Sequence, residues 1–205
     1  MVEIIRELGT VKMVQLQPSG LIINTPSGSF YDASRRVEVD SIQITTQGIE
    51  ATIPNGKKVL DIHHINHPDK EYDDDDLVSI GFTSHYEAMR DRFGEHMVDG
   101  IAGENIIIDY GQEVWMNDLG QRIAIENKDT GQKALFYMES FASPCSEFSH
   151  FAANSQNERL PAAELKANLQ FLNKGRRGFL LGLCDGQKTV TVQPGDKVFV
   201  VAEKK

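Results

Sequence analysis

The stretch of this sequence with the clearest chemical character runs from residue 143 to residue 179. It opens with Ser143-Pro144-Cys145 and ends near an arginine pair. Proline fixes its own φ and biases Ser143 towards an extended conformation, so the thiol enters on a stiff chain. A cysteine held in this way can act as a nucleophile or a metal ligand. The alternative is a small core side chain at the end of a strand, because free cysteines are among the most buried residues.

The arginine pair is Arg176-Arg177, enclosed by Gly175 and Gly178. Glycines let the backbone approach a ligand closely, and guanidinium groups bind phosphate or carboxylate through two parallel hydrogen bonds. The other interpretation is a helix that ends at Gly175, with cations placed near its C-terminus. The pair therefore predicts either an anion site or a helix cap.

A second polar segment, Gly103-Glu104-Asn105, directly precedes the apolar run Ile106-Ile107-Ile108. Glycine at this point suits a positive φ or a close backbone approach before a buried strand. The segment is either a polar corner of the fold or one wall of the site. The second cysteine, Cys184, lies in a strand pattern, which favours a structural role.

A histidine-rich loop, His63-His64-Ile65-Asn66-His67, is the one cluster with the composition of a metal site. Imidazole suits zinc or iron, but nothing in the spacing completes a recognised ligand set. Solvated histidines are the alternative. The following run Asp73-Asp74-Asp75-Asp76 predicts a solvated loop, since it lacks the spacing and glycine of a calcium loop.

Composition excludes several classes of protein. The 205 residues carry a net charge of −9, which argues against general nucleic-acid binding. No apolar run approaches the roughly 20 residues of a membrane helix, and the first residues lack the layout of a signal peptide. We therefore expect a cytoplasmic protein whose two cysteines are free thiols. The charge turns positive between Cys145 and Arg177, where an anion would bind.

Alternating apolar residues predict antiparallel β-structure in the first 65 residues. Val37 and Val39, then Ile42 and Ile44, alternate with a slip of phase near Ser41 that a β-bulge could absorb. A hairpin is predicted from residue 49 to residue 65, with its turn at Pro54-Asn55-Gly56-Lys57.

Two helices interrupt the strands. Ser84 and Glu87 have the spacing of a capping box and open a helix over residues 84–97, and Pro161 opens another that ends near Gly175. Further strands are predicted around Ile106–Ile108, Ile123–Ile125, Ala134–Met138, and in three segments after Phe179. This order predicts one domain over residues 1–205, a mainly β (α+β) fold: a closed or nearly closed β-barrel with two or three peripheral helices.

The ordered set of motifs resembles the MOSC domain, found at the C-terminus of molybdenum cofactor sulfurases and as stand-alone bacterial proteins. The matching segments, in family order, are Val14-Gln15-Leu16-Gln17-Pro18-Ser19, Ser84-His85-Tyr86, Gly103-Glu104-Asn105-Ile106, Ser143-Pro144-Cys145, Gly175-Arg176-Arg177-Gly178 and Pro194-Gly195-Asp196-Lys197-Val198. The resemblance spans residues 11 to 201. It implies a β-barrel related to the barrel domain of pyruvate kinase. The histidine loop is only similar to the family's histidine-glycine loop.

The resemblance also implies functional roles. Cys145 would carry sulfur or ligate molybdenum, and would be the catalytic residue. The cofactor, molybdopterin, would be bound by Ser143, Arg176, Arg177 and Gly178 together with Gly103, Glu104 and Asn105. Sulfur would come from a partner cysteine desulfurase, which itself holds pyridoxal phosphate.

Three functions are compatible with this resemblance. The first is binding of the molybdenum cofactor or transport of sulfur on Cys145. The second is a molybdenum-dependent reductase of N-hydroxylated substrates, which needs a separate electron-donor protein. The third is a non-catalytic binding or assembly module in which Cys145 belongs to the core. Whether the protein is an enzyme is left open by these alternatives.

Overall fold

The structure is a computed structural model that describes residues 2–53, 55–70, 78–155, 158–187 and 189–203. The strands are β1 (Val2–Leu16), β2 (Ile22–Thr25), β3 (Gly28–Tyr31), β4 (Val37–Val39), β5 (Ile42–Thr45), β6 (Gly48–Thr52), β7 (Lys58–Leu60), β8 (Val78–Phe82), β9 (Ile106–Asp109), β10 (Arg122–Glu126), β11 (Lys133–Phe141), β12 (Phe179–Leu183), β13 (Thr189–Val192) and β14 (Lys197–Glu203). The α-helices are α1 (Thr83–Phe93), α2 (Met116–Leu119), α3 (Ser146–Ala152) and α4 (Ala162–Leu172). A 3₁₀ turn covers Ala33–Arg35.

Seven strands close into a mixed β-barrel, which confirms the predicted fold class. Their order is β14-β10-β11-β12-β8-β9-β1, and pairing of β1 with β14 completes the circle. The pair β8–β9 is parallel and the other barrel pairs are antiparallel. Because α1 connects β8 to β9, the one parallel pair is also the place where a helix must cross the outside of the barrel.

Strand β1 is long enough to pair with three neighbours in turn. It pairs with β14 through its first half, with β9 through its middle and with β4 at its end. The register shifts between Glu7 and Gly9, and Gly9 has a φ of +103°. A Cβ at Gly9 would lie 2.1 Å from the carbonyl oxygen of Asp109, so only glycine allows the strand to bend there.

The phase slip near Ser41 is a change of sheet rather than a bulge. Strand β4 pairs with β1 on the barrel, whereas β5 joins β13 and β6 in a second sheet completed by β7. Both strands still bury apolar side chains, with Val39, Ile42 and Ile44 at most 7% exposed. The predicted hairpin corresponds to β6 and β7, with Pro54 outside the described residues.

Helix α1 begins at Thr83 without the predicted capping box. No side chain caps its first turn, and the Ser84 hydroxyl instead donates to the carbonyl oxygen of Gln112. Helix α4 begins after Pro161 as predicted and ends at Leu172. The sequence prediction of two or three helices omitted the short helices α2 and α3, which are too short to show a helical period.

Two apolar clusters determine where the helices lie. The larger one fills the barrel and includes Leu8, Phe82, Phe136 and Phe179. The second lies between the outside of the barrel and the helices, and includes Tyr31, Tyr86, Phe148 and Leu172. Because Ile107 of β9 faces this second cluster, the segment before β9 runs along the boundary between barrel and helices.

Within the described residues, no helix has the length and apolar character required to cross a membrane. The aspartate run at residues 73–76 lies outside the described part of the chain.

Candidate functional site

A cavity of about 510 Å³ opens where the β2–β3 hairpin, the Gly103-Glu104 corner and the start of α3 meet. Its walls include five of the residues identified in the sequence: Gly103, Glu104, Ser143, Cys145 and Arg177. The volume lies within the range of about 300–1,000 Å³ that is usual for small-molecule sites. Tertiary structure therefore brings together residues separated by up to 74 positions in the sequence.

The thiol of Cys145 is half-buried in this cavity wall and precedes α3 directly. Its sulfur accepts a hydrogen bond from the backbone N–H of Phe148 at 3.4 Å. The same cysteine contributes its carbonyl oxygen to the Ser149 hydroxyl at 2.9 Å. The residue thus caps the helix, packs against the second apolar cluster and belongs to the cavity wall.

Arg177 links the cysteine segment to the Gly103-Glu104 corner. Its Nη1 donates to the sulfur of Cys145 at 3.5 Å and to the carbonyl oxygen of Ser143 at 3.1 Å. Its Nη2 donates to the carbonyl oxygen of Ala102 at 3.3 Å. The guanidinium also lies 4.5 Å from the centroid of the Phe148 ring, so a cation–π contact fixes its plane.

Arg176 has a separate environment, although it is adjacent in sequence. It is not among the described residues that line the cavity. Its guanidinium pairs with Glu113 at 2.5 Å, donates to the carbonyl oxygen of Phe171 at 2.8 Å and lies 4.1 Å from the Phe171 ring centroid. These contacts attach the loop before β12 to the end of α4. The sequence predicts the same role for both arginines, but their side chains contact different parts of the fold.

Glu104 is a buried polar residue of the cavity wall and is only 2% exposed. Its Oε2 accepts a short hydrogen bond from the hydroxyl of Tyr86, which in turn accepts one from the Ala102 N–H. Oε1 has no partner among the described residues. Burial raises the pKa of Glu104 to about 7, while the Tyr86 hydrogen bond and the charge of Arg177 oppose that rise.

The other two members of the Gly103-Glu104-Asn105 segment have different positions. Gly103 has a φ of +103°, and its carbonyl oxygen accepts from Nε2 of Gln17 at 2.6 Å. Asn105 is buried behind the cavity, and its Nδ2 donates to Oδ2 of Asp61 at 3.0 Å. Gly103 thus shapes the wall, and Asn105 holds β1, β8 and the loop after β7 together.

Asp61 is a buried residue that the sequence analysis did not identify. Its carboxylate accepts hydrogen bonds from the backbone N–H groups of Gln17 and His63 and from the side chains of Asn105 and His63. A single Asp before a histidine-rich loop carries no sequence signal for this role. These hydrogen bonds hold the start of the histidine loop, residues 63–67, next to the cavity.

The three histidines of residues 63–67 are each occupied by local contacts. His63 pairs with Asp61 at 2.8 Å, the His64 Nδ1 accepts from the N–H of Asn66, and the His67 Nδ1 accepts from the N–H of Asp69. In the described ranges of the chain, no group of three or more His, Cys, Asp or Glu side chains could hold a metal ion. The alternative of a zinc or iron site in this loop has no support in these contacts.

One further residue lines the cavity, and the second cysteine does not. Tyr31, on β3, lines it and donates to the carbonyl oxygen of Ile101 at 2.8 Å, and burial raises its pKa. It was missed because β3 is too short for its alternation to be read. Cys184 lies just after β12, away from these walls, and desolvation raises the pKa of its thiol.

Comparisons with known proteins support the fold. No family model and no curated protein matches the chain. The structure of the YUAD protein from Bacillus subtilis is similar at a TM-score of 0.59 and 11% identity, covering 100% of both chains. A hypothetical protein is similar at 0.56 and 15%, covering 98% of this chain and 70% of the other. YiiM from Geobacillus stearothermophilus gives 0.49 and 14%, covering 99% and 76%. At these identities the first two structures show that the barrel architecture is shared over the whole chain, and they show the fold alone.

Proposed function

We propose that the cavity binds a molybdopterin-type cofactor and that the Cys145 sulfur acts as the protein ligand of the metal. The observation that carries this proposal is the 3.5 Å contact between Arg177 and the Cys145 sulfur in the wall of one open cavity. A sulfur ligand suits a thiophilic metal, and a guanidinium beside it suits the anionic part of the same molecule. The motif resemblance to the MOSC family supports the same assignment.

The residues present fit such a group. Arg177 lines the cavity beside the Cys145 sulfur, where its guanidinium charge suits a phosphate group. A second arginine, Arg35, also lines the cavity. Arg177 and Arg35 therefore replace the sequence-derived pair Arg176-Arg177 as the proposed phosphate-binding residues. The cofactor, when bound, supplies redox chemistry.

Other residues of the wall would position the cofactor. The carbonyl oxygens at Ser143 and Ala102 already hold Arg177, so the cation is aimed before any ligand arrives. Gly103 leaves room at the wall, because a Cβ there would lie 2.8 Å from Leu21 Cδ1 and 2.9 Å from Gln17 Nε2. A partner protein would supply electrons to the bound metal, or sulfur to Cys145.

Metal content after expression in a host that makes the cofactor tests this proposal. We expect the wild-type protein and the Cys184→Ser variant to be purified with molybdenum, measured by elemental analysis. The Cys145→Ser variant should lose at least about nine-tenths of it, since serine removes the soft ligand. Circular dichroism checks that both variants fold.

Two results would overturn the metal-ligand assignment. One is wild-type protein without molybdenum, and the other is Cys145→Ser protein with unchanged molybdenum. Cyanide-releasable sulfur, measured on the same samples, separates the alternative role. Sulfur that is present on wild-type protein, absent from Cys145→Ser and not accompanied by molybdenum indicates a sulfur carrier.

A further inference from the structure

Glu104 combines three features that a purely structural carboxyl group does not need. It is 2% exposed, it belongs to the wall of the cavity, and one of its oxygens has no hydrogen-bond partner among the described residues. Its other oxygen, Oε2, accepts the hydrogen bond from the Tyr86 hydroxyl. Rotating the carboxyl group to give Oε1 a donor would therefore break that bond. A buried carboxylate oxygen without a donor is costly unless it carries a proton.

The chain leaves space for this carboxyl group with two glycines. A Cβ on Gly81 would lie 2.6 Å from Oε1 of Glu104, and one on Gly178 would lie 2.6 Å from its Cγ. Gly178 directly follows Arg177, the residue that contacts the Cys145 sulfur. The packing therefore places Glu104 against the loop that presents the cation.

The charged and titratable groups around Glu104 come from four elements. Tyr86 of α1 donates to it, Tyr31 of β3 is influenced by its charge, and Arg177 and Arg36 stabilise its ionised form. Arg177 in turn faces Cys145, and Tyr31 is influenced by both. His63 and Asp69 are further ionisable residues of the cavity lining. Glu104 and an anion in the cavity would thus compete for the same cation.

We infer that Glu104 is a proton-binding residue of this site: an anion that enters beside Arg177 is taken up together with one solvent proton on the Glu104 carboxyl group. The proton goes to the unpartnered oxygen, Oε1, while Oε2 keeps the hydrogen bond from Tyr86. The neutral carboxyl group leaves the charge of Arg177 to the ligand. The inference rests on the proposed function only in treating this cavity as the ligand site.

Alkylation of Cys145 tests the inference without any cofactor. Iodoacetate is an anion and iodoacetamide is neutral, and both react with the thiolate, so the ratio of their rates cancels the titration of Cys145 itself. The ratio reports how strongly the cavity attracts an anion. It is measured in a Cys184→Ser background so that a single thiol reacts.

We expect the iodoacetate-to-iodoacetamide ratio to fall roughly two- to fivefold as pH rises through neutrality, because one negative charge appears near the thiol. The midpoint should lie near the Glu104 pKa of about 7. In Glu104→Gln, which keeps the shape and an acceptor for Tyr86, the ratio should be independent of pH. Tyr86→Phe should move the midpoint to higher pH, because the Tyr86 hydrogen bond lowers the Glu104 pKa.

A pH-independent ratio in the Cys184→Ser protein overturns the inference, as does a fall that persists unchanged in Glu104→Gln. A fall that disappears in His63→Gln instead assigns the effect to His63 and also overturns the inference. If Glu104→Gln fails to fold, the parent profile and the shift in Tyr86→Phe decide the matter. The alkylation test does not involve molybdenum loading. It can therefore fail while the proposed function holds, and it can succeed while the metal-content test fails.

Discussion

Arg176 and Arg177 are consecutive in the sequence, yet their guanidinium groups belong to different parts of the molecule. Arg176 is held by Glu113 and the end of α4, whereas Arg177 donates to the Cys145 sulfur in the cavity. One arginine therefore anchors the loop and the other presents its charge to a ligand.

Replacing Arg177 by Met should lower the rate at which iodoacetate alkylates Cys145 by roughly three- to tenfold, because the cavity loses its nearest cation. Arg176→Met should change that rate less than about twofold. It should instead reduce the free energy of unfolding by about 1–3 kcal/mol, since it removes a hydrogen bond and a cation–π contact. The measurements are the rate of Cys145 alkylation by iodoacetate and urea denaturation of both variants. Equal effects of the two substitutions on alkylation would contradict the division of roles.

Gly178→Ala should be strongly destabilising. Gly178 has a φ of +100°, and a Cβ would lie 2.7 Å from the carbonyl oxygen of Ile80 as well as against Glu104. We expect a loss of about 3 kcal/mol or more in the free energy of unfolding, combining backbone strain with overpacking.

Gly186→Ala is the matched control for Gly178→Ala. Gly186 also has a positive φ, +86°, but a Cβ there would meet no atom within 4 Å. Its replacement should lower the free energy of unfolding by only about 1–2 kcal/mol, because only the strain of the positive φ applies. Thermal or urea unfolding of the two variants checks this difference, and similar losses would show that the contact with Glu104 and Ile80 is relaxed easily.

The free energy of unfolding of Glu104→Gln, relative to that of wild type, should increase as the pH rises. Burial raises the Glu104 pKa from an ordinary 4.5 to about 7, so between these values the folded chain keeps a proton that the unfolded chain has lost. The raised pKa of Glu104 stabilises the wild-type fold. This contribution is fully present below about pH 4.5 and is lost as the pH rises through about 7. The difference in the free energy of unfolding between variant and wild type should grow by about 3 kcal/mol over that range and then level off.

Urea denaturation at a series of pH values from about 5 to about 8 measures this difference. Measuring the difference between two proteins is necessary because His85 titrates in the opposite sense. Burial lowers the His85 pKa to about 4, so its contribution is lost as pH falls from about 6.5 towards that value. A variant-minus-wild-type difference that does not change with pH would show that Glu104 is not the titrating group.

Much of the scaffold can be predicted from local pattern. The strands β5, β6, β9, β10, β12 and β14 follow short-range alternation or apolar runs, and α4 follows Pro161 and its leucines. These signals depend on contacts between neighbours in the chain and on burial of one face. The sequence also shows the phase slip near Ser41. It does not show that the chain changes sheet there, because a bulge and a change of sheet have the same local pattern.

The site is only partly predictable for a similar reason. The sequence indicates that Cys145, Glu104 and Arg177 are chemically notable, since their residue types and flanking glycines or proline are local facts. It cannot distinguish Arg176 from Arg177, because the direction of each side chain depends on Glu113, Phe171 and Phe148, which lie at distant positions. Asp61 and Tyr31 carry no local signal at all.

The sequence by itself determined the alternation of strands and helices, the acidic charge and the residues with reactive or anion-binding chemistry. Tertiary structure alone decided that the barrel closes through β1 and β14, that Cys145 and Arg177 meet, and that Glu104 is buried beside them. The physical reason is that periodicity is a property of neighbouring residues, whereas closure, burial and the pKa of a carboxyl group depend on which distant atoms the folded chain places around it.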